Sequence, residues 1–382
     1  MVYFDNAATT FPKPDEVYTF MDKFYRECGV NVGRGQHNMA NKASLLMSET
    51  KNMLKELLNC KDREIAFTSS ATESLNIILQ GILWGDNYTV YVTPFEHNAV
   101  MRVLYHLQTI YNIHIKQLAI NKNDLTYDLE KIKYDFQENK PNVVIMSHAS
   151  NVCGLITPIK AICELAKKYG ATTVIDMAQT AGLIPTDLSE VNVDYVVFAA
   201  HKTLYGGFGL GGIIMKSNSA LKPLLYGGTG IDSASHEMPV TVPEKFEAGS
   251  HNIQAIAGLN ASLKWINSVG IENIYAKEKA YTEKLVSTLE EFGNIKLIGY
   301  KDSKSNIGVI SCVFDGYSSD NIGQVLNDNE IAVRTGLHCS PTAHEFFGTF
   351  PDGTVRFSVG YFNTDEDIEK LREVLDFIEM NS

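Results

Sequence analysis

The stretches "TTVIDMAQTAG" (172–182) and "DYVVFAAHKTLYGGFGLGG" (194–212) decide the fold that this sequence predicts. Each opens with a short apolar, β-branched run and then changes to small and polar residues, which is typical of a buried strand that ends at a turn. Similar runs occur at 64–68, 89–92 and 142–147, and segments with helical spacing separate them. This alternation predicts an α/β fold with a mostly parallel sheet that is covered on both faces.

The last third of the chain has a different pattern. Helical segments are followed by strand-like runs and then by a final helix, at 252–270, 271–293, 306–314, 331–336, 353–360 and 364–380. We therefore predict a large domain at 13–257 and a smaller α+β domain that is formed by 1–12 and 258–382 and carries Cys339.

The composition indicates which kinds of binding partner and which cellular compartment to expect. The 382 residues carry 33 Lys and Arg against 45 Asp and Glu, a net charge of −12, which disfavours nucleic acid or an anionic membrane as the main partner. The six cysteines form no CxxC pair, the first residues do not resemble a signal peptide, and no apolar run is long enough to cross a bilayer. We expect a cytoplasmic protein with free thiols.

Polar residues follow several of the predicted strands, at the edge where open α/β sheets bind ligands. Ser70 and Glu73 fit a capping box, so a helix begins there, and its free N–H groups could hold a phosphate or could be an ordinary capped end. Asp176 could pair with a protonated ring nitrogen or cap a helix, and Lys202 could form a Schiff base or lie on the surface. His97 could stack on an aromatic ligand, relay a proton or have a structural role. Together these groups are the parts of a pyridoxal phosphate site.

The segment "VRTGLHCSPTAHE" (333–345) places a cysteine in a stretch that has neither a helical nor a strand period. Cys339 could be a nucleophile or a buried thiol, and Gly336 and Pro341 on either side of it lead us to expect a segment that moves. The third alternative is a metal site built from His338, Cys339, His344 and Glu345, although the chain offers no second ligand pair with zinc-like spacing.

Ten motifs in order along the chain resemble the cysteine desulfurase family, within the class V aminotransferase-like pyridoxal phosphate enzymes. They are "YFDNAATT", "GRGQH", "FTSSATESLN", "EHNAV", "SHASNVCG", "VIDMAQTAG", "FAAHKTLYGGFGLGG", "FEAGSHN", "RTGLHC" and "GTVRFSVGYFNTDEDI". The resemblance implies the pyridoxal phosphate-dependent transferase fold, which is similar to that of aspartate aminotransferase. "RTGLHC" resembles the subgroup with an Arg-x-Gly-x-His-Cys nucleophile motif.

The resemblance also implies roles for individual residues. Lys202 would carry the cofactor, His97 would stack on its ring and relay protons, and Cys339 would be the nucleophile. The remaining cofactor contacts would be Asp176 at the ring nitrogen, Gln179 at the phenolic oxygen, Thr72, His201 and the backbone of Ala71 at the phosphate, and Ser250 of the partner subunit. The residues implied in substrate binding are Asn6, Asn151, Arg334 and Arg356, and His338 and Arg334 are expected to favour the Cys339 thiolate. The chain departs from the family pattern at Ala71 and Ala199, which lack hydroxyl donors, and at Leu337, which replaces a histidine.

The implied reaction converts L-cysteine to L-alanine and transfers the sulfur to Cys339 as a persulfide, for delivery to an acceptor protein. The family also implies a homodimer with a shared active site. The alternatives are a selenocysteine lyase or another pyridoxal phosphate-dependent β-elimination lyase, and a catalytically silent scaffold.

Overall fold

The computed structural model describes residues 1–33, 35–231 and 233–380, so Arg34 of the "GRGQH" motif and the last two residues of the predicted small domain lie outside the described residues. The strands are β1 (Val2–Tyr3), β2 (Glu64–Thr68), β3 (Tyr88–Val92), β4 (Ile113–Gln117), β5 (Val143–Ser147), β6 (Thr172–Asp176), β7 (Tyr195–Ala199), β8 (Gly211–Met215), β9 (Ile295–Ile298), β10 (Val309–Phe314), β11 (Ile331–Ala332), β12 (Arg334–Gly336) and β13 (Thr354–Ser358). The helices are α1 (Asp15–Cys28), α2 (Asn38–Leu57), α3 (Ala71–Gly81), α4 (Asn98–Gln108), α5 (Leu129–Glu138), α6 (Ile159–Lys167), α7 (Ile253–Val269), α8 (Ile271–Glu290), α9 (Ser319–Asp328), α10 (Pro341–Phe347) and α11 (Asp365–Met380).

A seven-stranded sheet in the order β2-β8-β7-β6-β5-β3-β4 forms the centre of the protein. Its strands are parallel except β8, which runs antiparallel to both of its neighbours. This confirms the predicted α/β fold. Sequence analysis missed β4, which alternates apolar and polar residues at the sheet edge, and β8, which begins inside the glycine-rich run.

Helices cover both faces of this sheet, as the continuous apolar runs of its central strands require. Val144 and Ile175 belong to the core that includes residues of α2, α6 and α7 on one face. Their neighbours Ile145 and Val174 point the other way and pack with residues of α3 and α4. Successive strand residues therefore serve opposite cores, and the strand ends are fixed from both sides.

A second, antiparallel sheet in the order β12-β13-β10-β9 holds the last third of the chain together. Its core includes residues of α8, α9 and α11 and also Val2 and Phe4 from the start of the chain. β1 pairs in parallel with β11, so the first residues join this region. The predicted boundary at 257–258 falls inside α7, and the division into two domains stays a prediction.

Across residues 1–33, 35–231 and 233–380, we find no helix whose length and hydropathy would suit a bilayer crossing.

Candidate active site

The carboxyl ends of the parallel strands, together with β12 and β13 of the second sheet, surround a cavity of about 230 Å³. Most of the predicted site residues line it: Ala71, Thr72, His97, Asn151, Asp176, Gln179, His201, Lys202, Arg334 and Arg356. Cys339 lies next to this cavity, in a groove that shares Thr72 and His97 with it.

Two of the predicted residues lie elsewhere. The side chain of Asn6 donates to the carbonyl of Ser358 (3.0 Å) and accepts from the Phe11 N–H (3.2 Å), outside the cavity. Asn6 therefore ties the start of the chain to β13, and its predicted contact with the substrate finds no support in this geometry. Ser250 lines a separate cavity of about 170 Å³, so within this chain it does not reach the site.

The start of α3 forms one wall of the cavity. Ser70 Oγ accepts a hydrogen bond from the Glu73 N–H (3.1 Å), which confirms the predicted cap. The reciprocal half of the box was wrong, because the Glu73 carboxylate accepts instead from the N–H (2.6 Å) and hydroxyl (2.5 Å) of Ser69. A Cβ at Gly211 of β8 would lie 2.6 Å from the Ser70 carbonyl carbon, so only glycine lets this helix end come so close to the sheet. The N-terminus of a helix favours anions.

Asp176 is the last residue of β6, Lys202 follows β7, and both line the same cavity. Burial lowers the pKa of Lys202 to about 8, with Asp176 opposing the shift, so this amine loses its proton far more readily near neutral pH than an exposed lysine does. Burial raises the pKa of Asp176, whose Oδ1 accepts from the Ala178 N–H (2.8 Å). No helix begins after Asp176, so the alternative of a helix N-cap was wrong. A buried carboxylate of this kind favours a positively charged or N–H partner.

His97 caps a helix and also lines the cavity. Its Nδ1 accepts from the Ala99 N–H (3.0 Å) and so caps α4, while its ring lines the cavity. Burial and the nearby cations, among them Lys202 and Arg334, lower the pKa of His97 to about 4. The imidazole is therefore neutral at physiological pH and can lie against an aromatic ring.

His201 lines the cavity and has one buried ring nitrogen without a partner among the described residues. Its ring stacks on Phe208 at a centroid distance of 4.7 Å, and burial lowers the pKa of His201 to about 4. The buried Nδ1 has no hydrogen-bond partner within the part of the chain that the structure describes. A buried ring nitrogen without a partner needs a ligand atom or water to satisfy it.

Arg356 is almost completely buried, and sequence analysis missed the residue that makes this tolerable. Its Nη2 lies 2.7 Å from Asp5 Oδ1, its Nη1 donates to the Asn151 carbonyl (2.9 Å), and its buried Nε has no partner among the described residues. Burial lowers the pKa of Arg356, and Asp5 opposes that shift. Arg334 lies opposite Arg356 in the β12–β13 ladder and points its Nη2 at Cys339 Sγ, 3.5 Å away.

Cys339 lies in a tight turn. The φ angles of His338 and Cys339 are +48° and +59°, and the Ser340 N–H donates to the Leu337 carbonyl (2.9 Å), the pattern of a type I′ turn. The Asn98 N–H at the start of α4 donates to the Cys339 carbonyl (2.7 Å). Hydrogen bonds therefore hold a segment that the flanking glycine and proline led us to expect to move.

The histidines of this segment are engaged with threonines. His338 Nε2 lies 2.8 Å from Thr354 Oγ1, and His344 Nδ1 lies 2.8 Å from Thr349 Oγ1. Burial lowers the pKa of His338 to about 2, so the expectation that it supplies positive charge to the thiolate was wrong, and Arg334 is the cation that contacts Cys339. Among the described residues, no group of three or more His, Cys, Asp or Glu side chains is arranged to hold a metal ion.

Sequence analysis also missed Glu96, which precedes His97. It is completely buried and accepts hydrogen bonds from Thr93 Oγ1 (2.6 Å) and from both the N–H and the hydroxyl of Ser147 (2.8 Å each). Burial raises the pKa of Glu96 to about 7. It joins the end of β5 to the turn that carries His97, and its position directly before His97 was the only signal for it.

These residues fit pyridoxal phosphate. The cavity offers a helix N-terminus and the side chain of His201 for a phosphate, a buried carboxylate for a ring nitrogen, and the amine of Lys202 with its lowered pKa. The fold and the site together therefore define a pyridoxal phosphate-dependent enzyme.

Comparison with known proteins narrows this class to a family. The family described as Aminotransferase class-V matches residues 2–371, and the chain belongs to it. A cysteine desulfurase of Synechococcus elongatus is 30% identical over 396 residues, which cover 100% of this chain and 61% of that protein. A probable cysteine desulfurase of Xylella fastidiosa is 30% identical over 381 residues, which cover 97% of this chain and 89% of that protein. The apo structure of a cysteine desulfurase from Thermococcus onnurineus has a TM-score of 0.93 and 27% identity, and the match covers 100% of this chain and 95% of that one.

Proposed function

We propose that this protein is a cysteine desulfurase, which converts L-cysteine to L-alanine and takes the sulfur onto Cys339 as a persulfide. The observation that carries the proposal is the position of Cys339, whose groove adjoins the Lys202 cavity and whose sulfur lies 3.5 Å from Arg334. The names of the relatives support the same activity.

Different cavity residues would hold different parts of the cofactor. When bound, pyridoxal phosphate supplies an electron sink for the substrate carbon. Lys202 Nζ would carry it, Asp176 would accept from its ring nitrogen, and His97 would lie against its ring. Gln179, whose Nε2 already donates to the Ala7 carbonyl (2.9 Å), would place its amide at the phenolic oxygen.

The phosphate would lie at the start of α3, with Ala71, Thr72 and His201 as its partners in this chain. Ser250 cannot contribute from its own cavity, so we include the partner subunit's Ser250 and a homodimer with a shared site in the proposal.

The substrate carboxylate would lie between Arg334 and Arg356, because a guanidinium group matches a carboxylate in charge and geometry. Asp5 already neutralises much of the charge on Arg356, so Arg334 supplies more of the attraction. The amine of Lys202 would take the Cα proton, which its pKa of about 8 permits near neutral pH.

Sulfur transfer itself is a displacement at the substrate sulfur. The Cys339 thiolate forms the S–S bond, the substrate C–S bond breaks, and its electron pair stays with the carbon fragment, which gains a proton to become alanine. Arg334 stabilises the thiolate before the attack and the persulfide anion after it. The balance is one cysteine consumed, one alanine released and one persulfide formed.

Purified protein loaded with pyridoxal phosphate tests the activity. With L-cysteine and a reductant we expect alanine and sulfide in equal amounts. Lys202→Ala should lose the cofactor absorbance that depends on the lysine, whereas Cys339→Ser should keep that absorbance and form no persulfide. Wild-type protein that releases no sulfide would refute the proposal, and a strong preference for selenocysteine would assign the lyase reaction instead.

We also propose a cytoplasmic location and a sulfur acceptor. The six cysteines are free, which suits a reducing cytoplasm, and a persulfide on Cys339 needs an acceptor protein or thiol to remove the sulfur.

A further inference from the structure

The Asn151 side chain contacts the nucleophile turn on both sides of Cys339. Its Nδ2 donates to the carbonyl of His338 (2.7 Å), and its Oδ1 accepts from the hydroxyl of Ser340 (2.8 Å). Both side chains are buried, with exposed fractions of 9% for Asn151 and 0% for Ser340. One amide thus bridges the two residues that flank the cysteine.

The chemistry of the two partners fixes the orientation of this amide. The carbonyl of His338 can only accept, so the nitrogen of Asn151 must face it, and the oxygen is left for the Ser340 hydroxyl. Turning the amide over would set two oxygens against each other. The backbone of Asn151 is fixed as well, because Arg356 Nη1 donates to its carbonyl (2.9 Å).

The turn needs such support because its backbone is strained. Two successive residues other than glycine, His338 and Cys339, have positive φ angles, and each costs of order 1–3 kcal/mol unless the surroundings hold it. Beyond the Asn151 contacts, the support comes from the Asn98 N–H, which donates to the Cys339 carbonyl (2.7 Å), and from Thr354, which holds the His338 ring.

We propose that Ser340 and Asn151 form a latch that holds the Cys339 turn and aims its sulfur at the substrate. Both are positioning residues in this role, which rests on the proposed desulfurase function. Asn151, which the resemblance implies in substrate binding, uses both polar atoms of its amide for the turn in this structure. Losing the latch should free the thiol and slow its attack on the substrate.

Cysteine alkylation provides a measurement that is independent of catalysis. Five of the six cysteines are buried and Cys339 is partly exposed, so alkylation of the folded protein by iodoacetamide reports on Cys339. Ser340→Ala removes one buried hydrogen bond, and we expect roughly 5- to 10-fold faster alkylation from that loss. In the protein loaded with pyridoxal phosphate, kcat for persulfide formation should fall by a similar factor while KM for cysteine changes little.

Two further variants make the test specific. Ser262→Ala is the matched control, because Ser262 is also completely buried and donates to a backbone carbonyl (Leu259, 2.9 Å) away from the site. Asn151→Asp keeps an acceptor for Ser340 but places a carboxylate against the His338 carbonyl. It should also speed alkylation, and combining it with Ser340→Ala should add little further effect, as expected for two parts of one latch.

Faster alkylation together with a lower kcat and an unchanged KM would support the latch. General destabilisation alone would be expected to change KM as well. Unchanged alkylation and kcat in Ser340→Ala would overturn it, and so would fully additive effects of the two variants. If wild-type protein has no desulfurase activity, the alkylation rates still decide whether the latch exists, so failure of the proposed function is distinguishable from failure of the latch.

Discussion

Replacing Asp5 with asparagine should separate the stability of the site from its affinity for substrate. Arg356 is 1% exposed at its side chain, while Asp5 is 21% exposed, and their charged atoms are 2.7 Å apart. Removing one partner of a fully buried ion pair costs about 3–5 kcal/mol. Because water reaches Asp5 and asparagine keeps a neutral acceptor, we expect the free energy of unfolding to fall by about 2–3 kcal/mol.

The same change should strengthen substrate binding. Arg356 would lose its carboxylate partner, so a substrate carboxylate would find a less neutralised cation, and KM for L-cysteine should fall. Urea unfolding measures the first effect, and initial rates of alanine formation at varied cysteine measure the second. Glu291→Gln is the control, because the side chains of the Arg372–Glu291 pair are 35% and 49% exposed and far less stability is expected to depend on it.

A variant as stable as the wild type would show that the Asp5–Arg356 pair does not hold the site together. A variant that is less stable but has a higher KM would refute the second half of the reasoning, since Asp5 would then be needed to position Arg356 for the substrate.

Three other changes test the cofactor side and the buried titrating groups. Gly211→Ala places a Cβ 2.6 Å from the Ser70 backbone, so it should cost roughly 1–3 kcal/mol in urea unfolding and weaken cofactor binding measured by absorbance titration, whereas Gly227→Ala, with nothing within 4 Å, should do neither. Ser70→Ala removes the α3 cap and should lower the free energy of unfolding by about 1 kcal/mol. Burial lowers the pKa of His148 to about 4. Below the pKa of the unfolded state, the unfolded chain therefore takes up a proton that the folded protein does not, and the free energy of unfolding decreases as the pH is lowered. His148→Gln should reduce that slope by about 1.4 kcal/mol per pH unit between roughly pH 4.5 and 6, and an unchanged slope would contradict the assignment.

Sequence analysis found the strands whose pattern is local. β2 was predicted with its observed bounds, since a continuous apolar run followed by polar residues identifies a buried strand wherever it occurs. The glycine-rich run hid β8, because glycines that are needed for close approach to α3 look like loop residues in a sequence.

The site residues show more clearly that a sequence pattern predicts only what is encoded locally. Asp176 ends one strand and Lys202 follows the end of the next, so the fold alone brings them together, and the sequence predicted both. The pairing of Asp5 with Arg356 joins residues 351 positions apart, and no local pattern encodes such a contact. His338 was misjudged for a related reason, because adjacency to Cys339 in the chain does not reveal that its ring is buried against Thr354.

The pairing of the chain's start with its last third has a consequence for biosynthesis. Val2 pairs with Ile331 and Asp5 with Arg356, whereas the central sheet is complete by Met215. At ribosomal rates of about 5–20 residues per second, the first strand waits on the order of tens of seconds for its partner. The nascent chain therefore emerges with the strand ends next to Asp176 and Lys202 well before the segment that carries Cys339.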